Sequence, residues 1–134
     1  IIIAGYLASF NESKYDWVFF SKLKDFHKKK QHFRQSKYAA TRLNSRLLEP
    51  SPFDLERLMA ILNAVYSLEN AKKLPSNLDI TTQISNLSSL KILLKSSNVD
   101  YISAKTRWKI NVNFSYVKAI ADDINFPLEN YLAE

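Results

Sequence analysis

Trp108-Lys109-Ile110-Asn111-Val112-Asn113-Phe114 alternates apolar and polar residues without a break. That period of two is the mark of a strand with one buried and one solvated face. Working backward, Ile92-Leu93-Leu94-Lys95 reads as a short strand, and the polar stretch 96–106 between the two holds Tyr101 and Ile102. Ahead of it Ile80, Ile84 and Leu87, continued by Leu90, form the buried stripe of a helix that begins near Asn77 or Asp79. Thr81, Thr82, Gln83, Ser85, Asn86, Ser88 and Ser89 make up its other face. Working forward, Ser115 is placed to cap a helix with Val117, Ile120, Ala121 and Ile124 inward. Pro127 then starts a last turn carrying Leu128, Tyr131 and Leu132.

Upstream, Ser51 stands before Pro52 at a first helical position, with Asp54 in the first turn. Leu55, Leu58, Met59, Leu62, Val65 and Tyr66 follow at helical spacing to about Leu68, and a polar connector covers 69–77. The order helix, helix, strand, loop, strand, helix is that of a winged-helix domain. The expected fold is therefore mainly α with a small two-stranded β-hairpin, its recognition helix at 79–90 and its wing at 96–107.

Composition narrows the chemistry. The chain has 134 residues, 46% hydrophobic, with no Cys and one Gly, Gly5. Gly-rich phosphate loops need several glycines, so neither a P-loop nor a dinucleotide fingerprint lies here. Zero Cys excludes disulfides, thiolate metal sites and Cys nucleophiles. No apolar run approaches the roughly 18 residues of a membrane-spanning helix, so no membrane partner is expected. His27 and His32 are spaced i, i+5, which suits neither a helix-face metal pair nor a catalytic triad, and the lysines around them disfavour a cation. Asp122-Asp123 has nothing nearby to tune one carboxyl as an acid. No catalytic, cofactor-binding or metal residue is expected.

Residues 1–10 read as an apolar helix closed by Asn11, with so many apolar faces that burial between domains is expected. The start at Ile1-Ile2-Ile3 is read as a cut within a longer protein. Tyr15, Trp17, Val18, Phe19 and Phe20 form an aromatic cluster, read as a core or interface plug in preference to a base-stacking platform.

The formal balance of +6 is unevenly placed. Residues 22–46 hold nine bases, Lys28, Lys29, Lys30 and Arg34 among them, against Asp25, for a net +8; the rest of the chain is −2. Such a segment either meets a polyanion, with salt-dependent affinity from counterion release, or is a solvated connector or nuclear-import signal.

Several stretches resemble the origin recognition complex subunit 5 family. Ala4-Gly5-Tyr6-Leu7-Ala8-Ser9-Phe10-Asn11 is similar to that family's Ala-Ala-Tyr-Leu-Ala-Ser-Tyr-Asn. Asp16 to Phe20 with Lys22 and the Lys-rich run behind also fit. Pro52-Phe53-Asp54-Leu55-Glu56-Arg57-Leu58-Met59-Ala60-Ile61-Leu62 is similar to Pro-Phe-x-Leu-x-Arg-Leu-Leu-Ala-Ile-Leu. Gln83-Ile84-Ser85-Asn86-Leu87, Val117-Lys118-Ala119-Ile120-Ala121 and Asn125-Phe126 follow in the same order.

The resemblance implies residues 1–20 as the end of an AAA+ helical lid, 21–49 as a basic connector and 50–134 as the winged helix. It implies an ATP-binding module upstream, neighbours among the complex's own subunits (4 and 3), duplex DNA, helicase-loading factors, and a place on chromatin in the nucleus. The alternative is a stand-alone, sequence-specific winged-helix transcription regulator.

Direct base reading relies on Arg or Lys to guanine and Asn or Gln to adenine. The face of 79–90 offers Gln83 and Asn86, no Arg or Lys, and Asp79 at its start. A packing face is therefore expected there. The backbone-contact candidates are Lys105, Arg107 and Lys109 in the wing, with Lys28, Lys29, Lys30 and Arg34 in the basic segment.

Overall fold

A computed structural model of the chain describes residues 1–20, 49–68, 77–96 and 105–132. Helix α1 (Ile2–Phe10) is followed by a 3-10 turn, Ser13–Tyr15, and a short α2 (Asp16–Phe20). Strand β1 (Phe53–Asp54) runs straight into α3 (Leu55–Leu68). Then come α4 (Asn77–Ser89), β2 (Leu93–Lys95), β3 (Arg107–Ile110), α5 (Phe114–Asp123) and a closing 3-10 turn, Leu128–Tyr131. Among the described residues no helix is long and apolar enough to cross a membrane.

The three strands form an antiparallel sheet in the order β1-β3-β2. Phe53 and Lys95 both oppose Trp108, and Leu93 opposes Ile110. Phe53, Leu93, Trp108 and Ile110 are buried on the inner face of this sheet. They share one core with Leu7 and Ala8 of α1, Leu58 and Ile61 of α3, Ile80 and Ile84 of α4, and Val117 and Ala121 of α5. Burying each large aliphatic side chain there contributes about 1.5–3 kcal/mol.

The sheet explains where the single glycine falls. A Cβ on Gly5 would meet Ile110 Cδ1 at 3.3 Å, Leu93 Cδ2 at 3.6 Å and Phe53 Cζ at 3.6 Å, one side chain from each strand. Helix α1 crosses the sheet at its one residue without a side chain. The element order α1, β1, α3, α4, β2, β3 is that of a winged helix whose first helix is α1. The described parts of segments 1–20 and 50–134 thus share one core.

The apolar α1 packs against this chain's own sheet and helices, with residues 3–9 all buried. Several local expectations change. Ser51 does not cap a helix: Pro52 precedes a strand residue, helix α3 begins at Leu55, and the Ser51 N–H donates to Ser9 O at 3.0 Å. The sheet gains a third strand that way, because Phe53 has Trp108 to pair with. Finally, β3 ends at Ile110, since Asn113, not Ser115, caps α5 by accepting from the Tyr116 N–H at 2.9 Å. Leu90 and Ile124 sit at helix ends and are 69% and 60% exposed, outside the stripes that spacing suggests.

The aromatic cluster is mainly a plug, as expected. Val18 and Phe19 are buried, Phe20 stacks on Tyr131 at 6.0 Å, and only Trp17 of the α2 residues is mostly exposed. Asn11 closes α1 and donates from Nδ2 to Tyr131 O at 2.7 Å, tying the first helix to the last turn.

Two helices stop without glycine. Lys91 (φ 59°) and Asn125 (φ 54°) take the left-handed conformation. Lys91 N–H donates to Ser88 O and Ile92 N–H to Leu87 O, both at 3.0 Å. Asn125 N–H donates to Asp122 O at 3.1 Å and Phe126 N–H to Ala121 O at 2.7 Å. This is the Schellman pattern, which glycine normally supplies. Lys91→Gly is expected to raise stability by about 1 kcal/mol by removing the Cβ penalty. Urea unfolding should show a higher midpoint at unchanged slope. The Asn111 Nδ2 bond to Lys91 O at 3.0 Å involves backbone and survives the change.

Candidate nucleic-acid interface

The recognition-helix position is occupied by α4, which has exposed Asp79 in its first turn and carries no Lys or Arg. Its solvent face presents Thr82, Gln83, Ser85, Asn86 and Ser89. Two of its hydroxyls are turned back onto the helix: Ser85 Oγ donates to Thr81 O, and Ser89 Oγ to Ser85 O, both at 3.1 Å. Such bonds to the preceding turn satisfy the hydroxyl donors locally. The face is polar, uncharged beyond Asp79, and equipped with one amide on Gln83 and one on Asn86.

The wing strand is different. Trp108 and Ile110 point inward, so Arg107 and Lys109 lie on the outer face of the sheet, with exposed Lys105 in the turn just before. Each strand base has an acid in reach. Arg107 is directly across from Asp54, with Nε 3.4 Å from Oδ1. Lys109 Nζ is 3.9 Å from Glu49 Oε2. Sequence spacing brings the three bases together, as the structure does; it gives no sign of the two acids, because it places Asp54 in the first turn of a helix. That residue belongs instead to β1, where it faces Arg107.

Lys28, Lys29, Lys30 and Arg34 fall outside the described residues, as do His27 and His32. Both ends of that stretch are nevertheless fixed. Before it, Asp16 of α2 receives Arg57 Nε at 2.7 Å and Nη2 at 2.8 Å. After it, Ser51 is bonded to Ser9 and Glu49 reaches Lys109. Residue 49, which follows that stretch, thus lies against Lys109 on the sheet. Residues 22–46 alone carry +8 and the rest of the chain −2, so the chain's positive surplus resides in that stretch. Among the described residues no group of three or more His, Asp or Glu side chains could hold a metal.

A family model for the C-terminus of origin recognition complex (ORC) subunit 5 matches residues 1–132. The chain belongs to the origin recognition complex subunit 5 family. It is 34% identical to the human subunit 5 over 136 residues, covering 98% of this chain and 28% of that one. It is 32% identical to the Schizosaccharomyces pombe subunit (99% of this chain, 32% of that one) and 29% identical to the Saccharomyces cerevisiae subunit (100% and 30%). The chain thus spans less than a third of the curated relatives it matches. A chain in the structure of Drosophila ORC bound to DNA superposes with a TM-score of 0.64 at 24% identity, covering 97% of this chain and 25% of that one. That likeness bears on the fold, which is the winged-helix arrangement expected of a subunit 5 C-terminus. The comparisons lend no support to a free-standing regulator.

Proposed function

We propose that this portion of subunit 5 is a non-catalytic element of an origin recognition complex, which marks replication origins and supports helicase loading. The nucleotide-binding module lies upstream, and ATP is its ligand. The winged helix packs α4 against a neighbouring subunit, 4 or 3, while Lys105, Arg107, Lys109 and the segment holding Lys28, Lys29, Lys30 and Arg34 contact DNA phosphates. Its place is on chromatin in the nucleus, where helicase-loading factors meet the assembly. On this reading α1 works as the first helix of the winged-helix unit, and the lid boundary falls at or before it.

The observation that carries the proposal is the charge division. A chain at net −2 outside residues 22–46, with no Lys or Arg on α4, is poorly suited to grip a duplex through that helix. Phosphate contacts orient a protein without reading sequence. The test is duplex binding by the chain, and by the complex assembled with it, across a salt series. Binding should be sequence-blind and steeply salt-dependent. Replacing Lys105, Arg107 and Lys109 with Gln should flatten the slope of log K against log salt by about 0.9 for each lost contact. A strong sequence preference in the isolated chain would overturn the reading.

A further inference from the structure

We infer that Asp54 and Glu49 act as built-in competitors for the phosphates of DNA, holding the wing's affinity below what its bases could give. This rests on the proposed contact between the outer sheet face and the duplex backbone, and it assigns a role to two residues that contact leaves out.

The geometry is specific. Asp54 belongs to β1 and Arg107 to β3, at directly opposed positions, so the ladder itself holds the two charges together. Their Nε–Oδ1 separation is 3.4 Å, and both side chains are more than half exposed. Glu49 comes from the chain entering β1, and its carboxylate lies 3.9 Å from Lys109 Nζ while 94% exposed. Neither acid holds the fold together: each pair is open to solvent, and pairs of that kind contribute at most about 1 kcal/mol. The pairs are therefore weak enough for a phosphate oxygen to displace the carboxylate. A phosphate arriving at Arg107 or Lys109 meets a nearby negative charge and must exchange with it, so part of its attraction is cancelled. With both acids in place, the two strand bases and their partners sum to zero. A duplex is then bound chiefly where the rest of the assembly presents it, and stray binding by the wing is suppressed.

The test is the double variant Asp54→Asn, Glu49→Gln, in the chain and in the assembled complex, against a duplex of arbitrary sequence. Each freed base should tighten binding by up to about fivefold, the equilibrium equivalent of about 1 kcal/mol. The salt slope should steepen by about 0.9 per base. A control, Asp122→Asn with Asp123→Asn, makes the same change in net charge on exposed positions of α5. It should raise affinity much less. Equal gains from the two double variants, or no gain from the first, overturn the inference.

A second pair, Arg107→Gln with Lys109→Gln, separates the wing contact from the competition. If it weakens binding while the acid variant does nothing, the wing contact stands and the competition is wrong. If it leaves binding unchanged, the wing contact fails and the inference falls with it. Combined with the acid variant, it should abolish the gain.

Discussion

Arg57→Ala is expected to lower the unfolding free energy by about 3 kcal/mol, a large loss for one polar side chain. The guanidinium of this α3 residue binds both Asp16 oxygens, Nε to Oδ2 at 2.7 Å and Nη2 to Oδ1 at 2.8 Å. It also donates from Nη1 to Ala8 O at 2.7 Å and from Nη2 to Asn11 O at 2.9 Å. Ala8 and Asn11 lie at the C-terminal end of α1, whose carbonyls lack partners within the helix. One planar group thus closes α1, holds the first turn of α2 and joins both to α3. The Arg57 and Asp16 side chains are 19% and 27% exposed, so water cannot fully replace these bonds. Truncation strands a carboxylate and two carbonyls. Arg57→Lys should recover little, since an ammonium cannot reproduce the two-pronged geometry. Thermal unfolding followed by circular dichroism should show a midpoint about 10 °C lower for Ala. A drop of only a degree or two would mean that the three elements are held by apolar packing alone.

Gly5→Leu is expected to cost about 3 kcal/mol, at the upper end of what overpacking a core produces. The added Cβ would already stand 3.3 Å from Ile110 Cδ1, and three further carbons have the Leu93 and Phe53 side chains in their way. Either α1 lifts off the sheet or three inward residues leave their rotamers. Gly5→Ala is the informative companion. It gains about 1 kcal/mol of helix propensity, which the displaced Ile110 methyl must offset, so its net effect should stay within about 1 kcal/mol. Urea titration of the two variants measures both. Similar stabilities for Leu and Ala would mean that α1 does not sit against the sheet as described.

Elements whose signal is local could be read from the sequence. The apolar spacing of α3 and α4 and the alternation through Trp108 and Ile110 survive in the fold because each depends only on which face is wet. What depends on a distant partner could not. Phe53 is a strand residue because Trp108 lies beside it, and nothing in Ser51-Pro52-Phe53-Asp54 tells that apart from a helix start. The alternation continues past Ile110 to Phe114, yet the strand stops because Asn113 is better used as a cap. Helix α1 announces that it is buried but not by what. At the candidate interface the bases are legible as a cluster, while Asp54 and Glu49 become relevant only once register puts them opposite Arg107 and against Lys109. The stretches that carry the family resemblance include Gly5, Asp16, Phe53, Arg57 and Leu58, and the structure gives these residues packing and clamping work.

The bonds that fix the chain on either side of residues 21–48 have a consequence for design. Asp16 and Ser51 are both fastened to the closing turn of α1, one through Arg57 and one directly. Whatever lies between them begins and ends at one place on the body. Any redesign that disturbs the closing turn of α1 therefore loosens the attachments on both sides at once, whereas one that spares Arg57 and Ser9 leaves both in place.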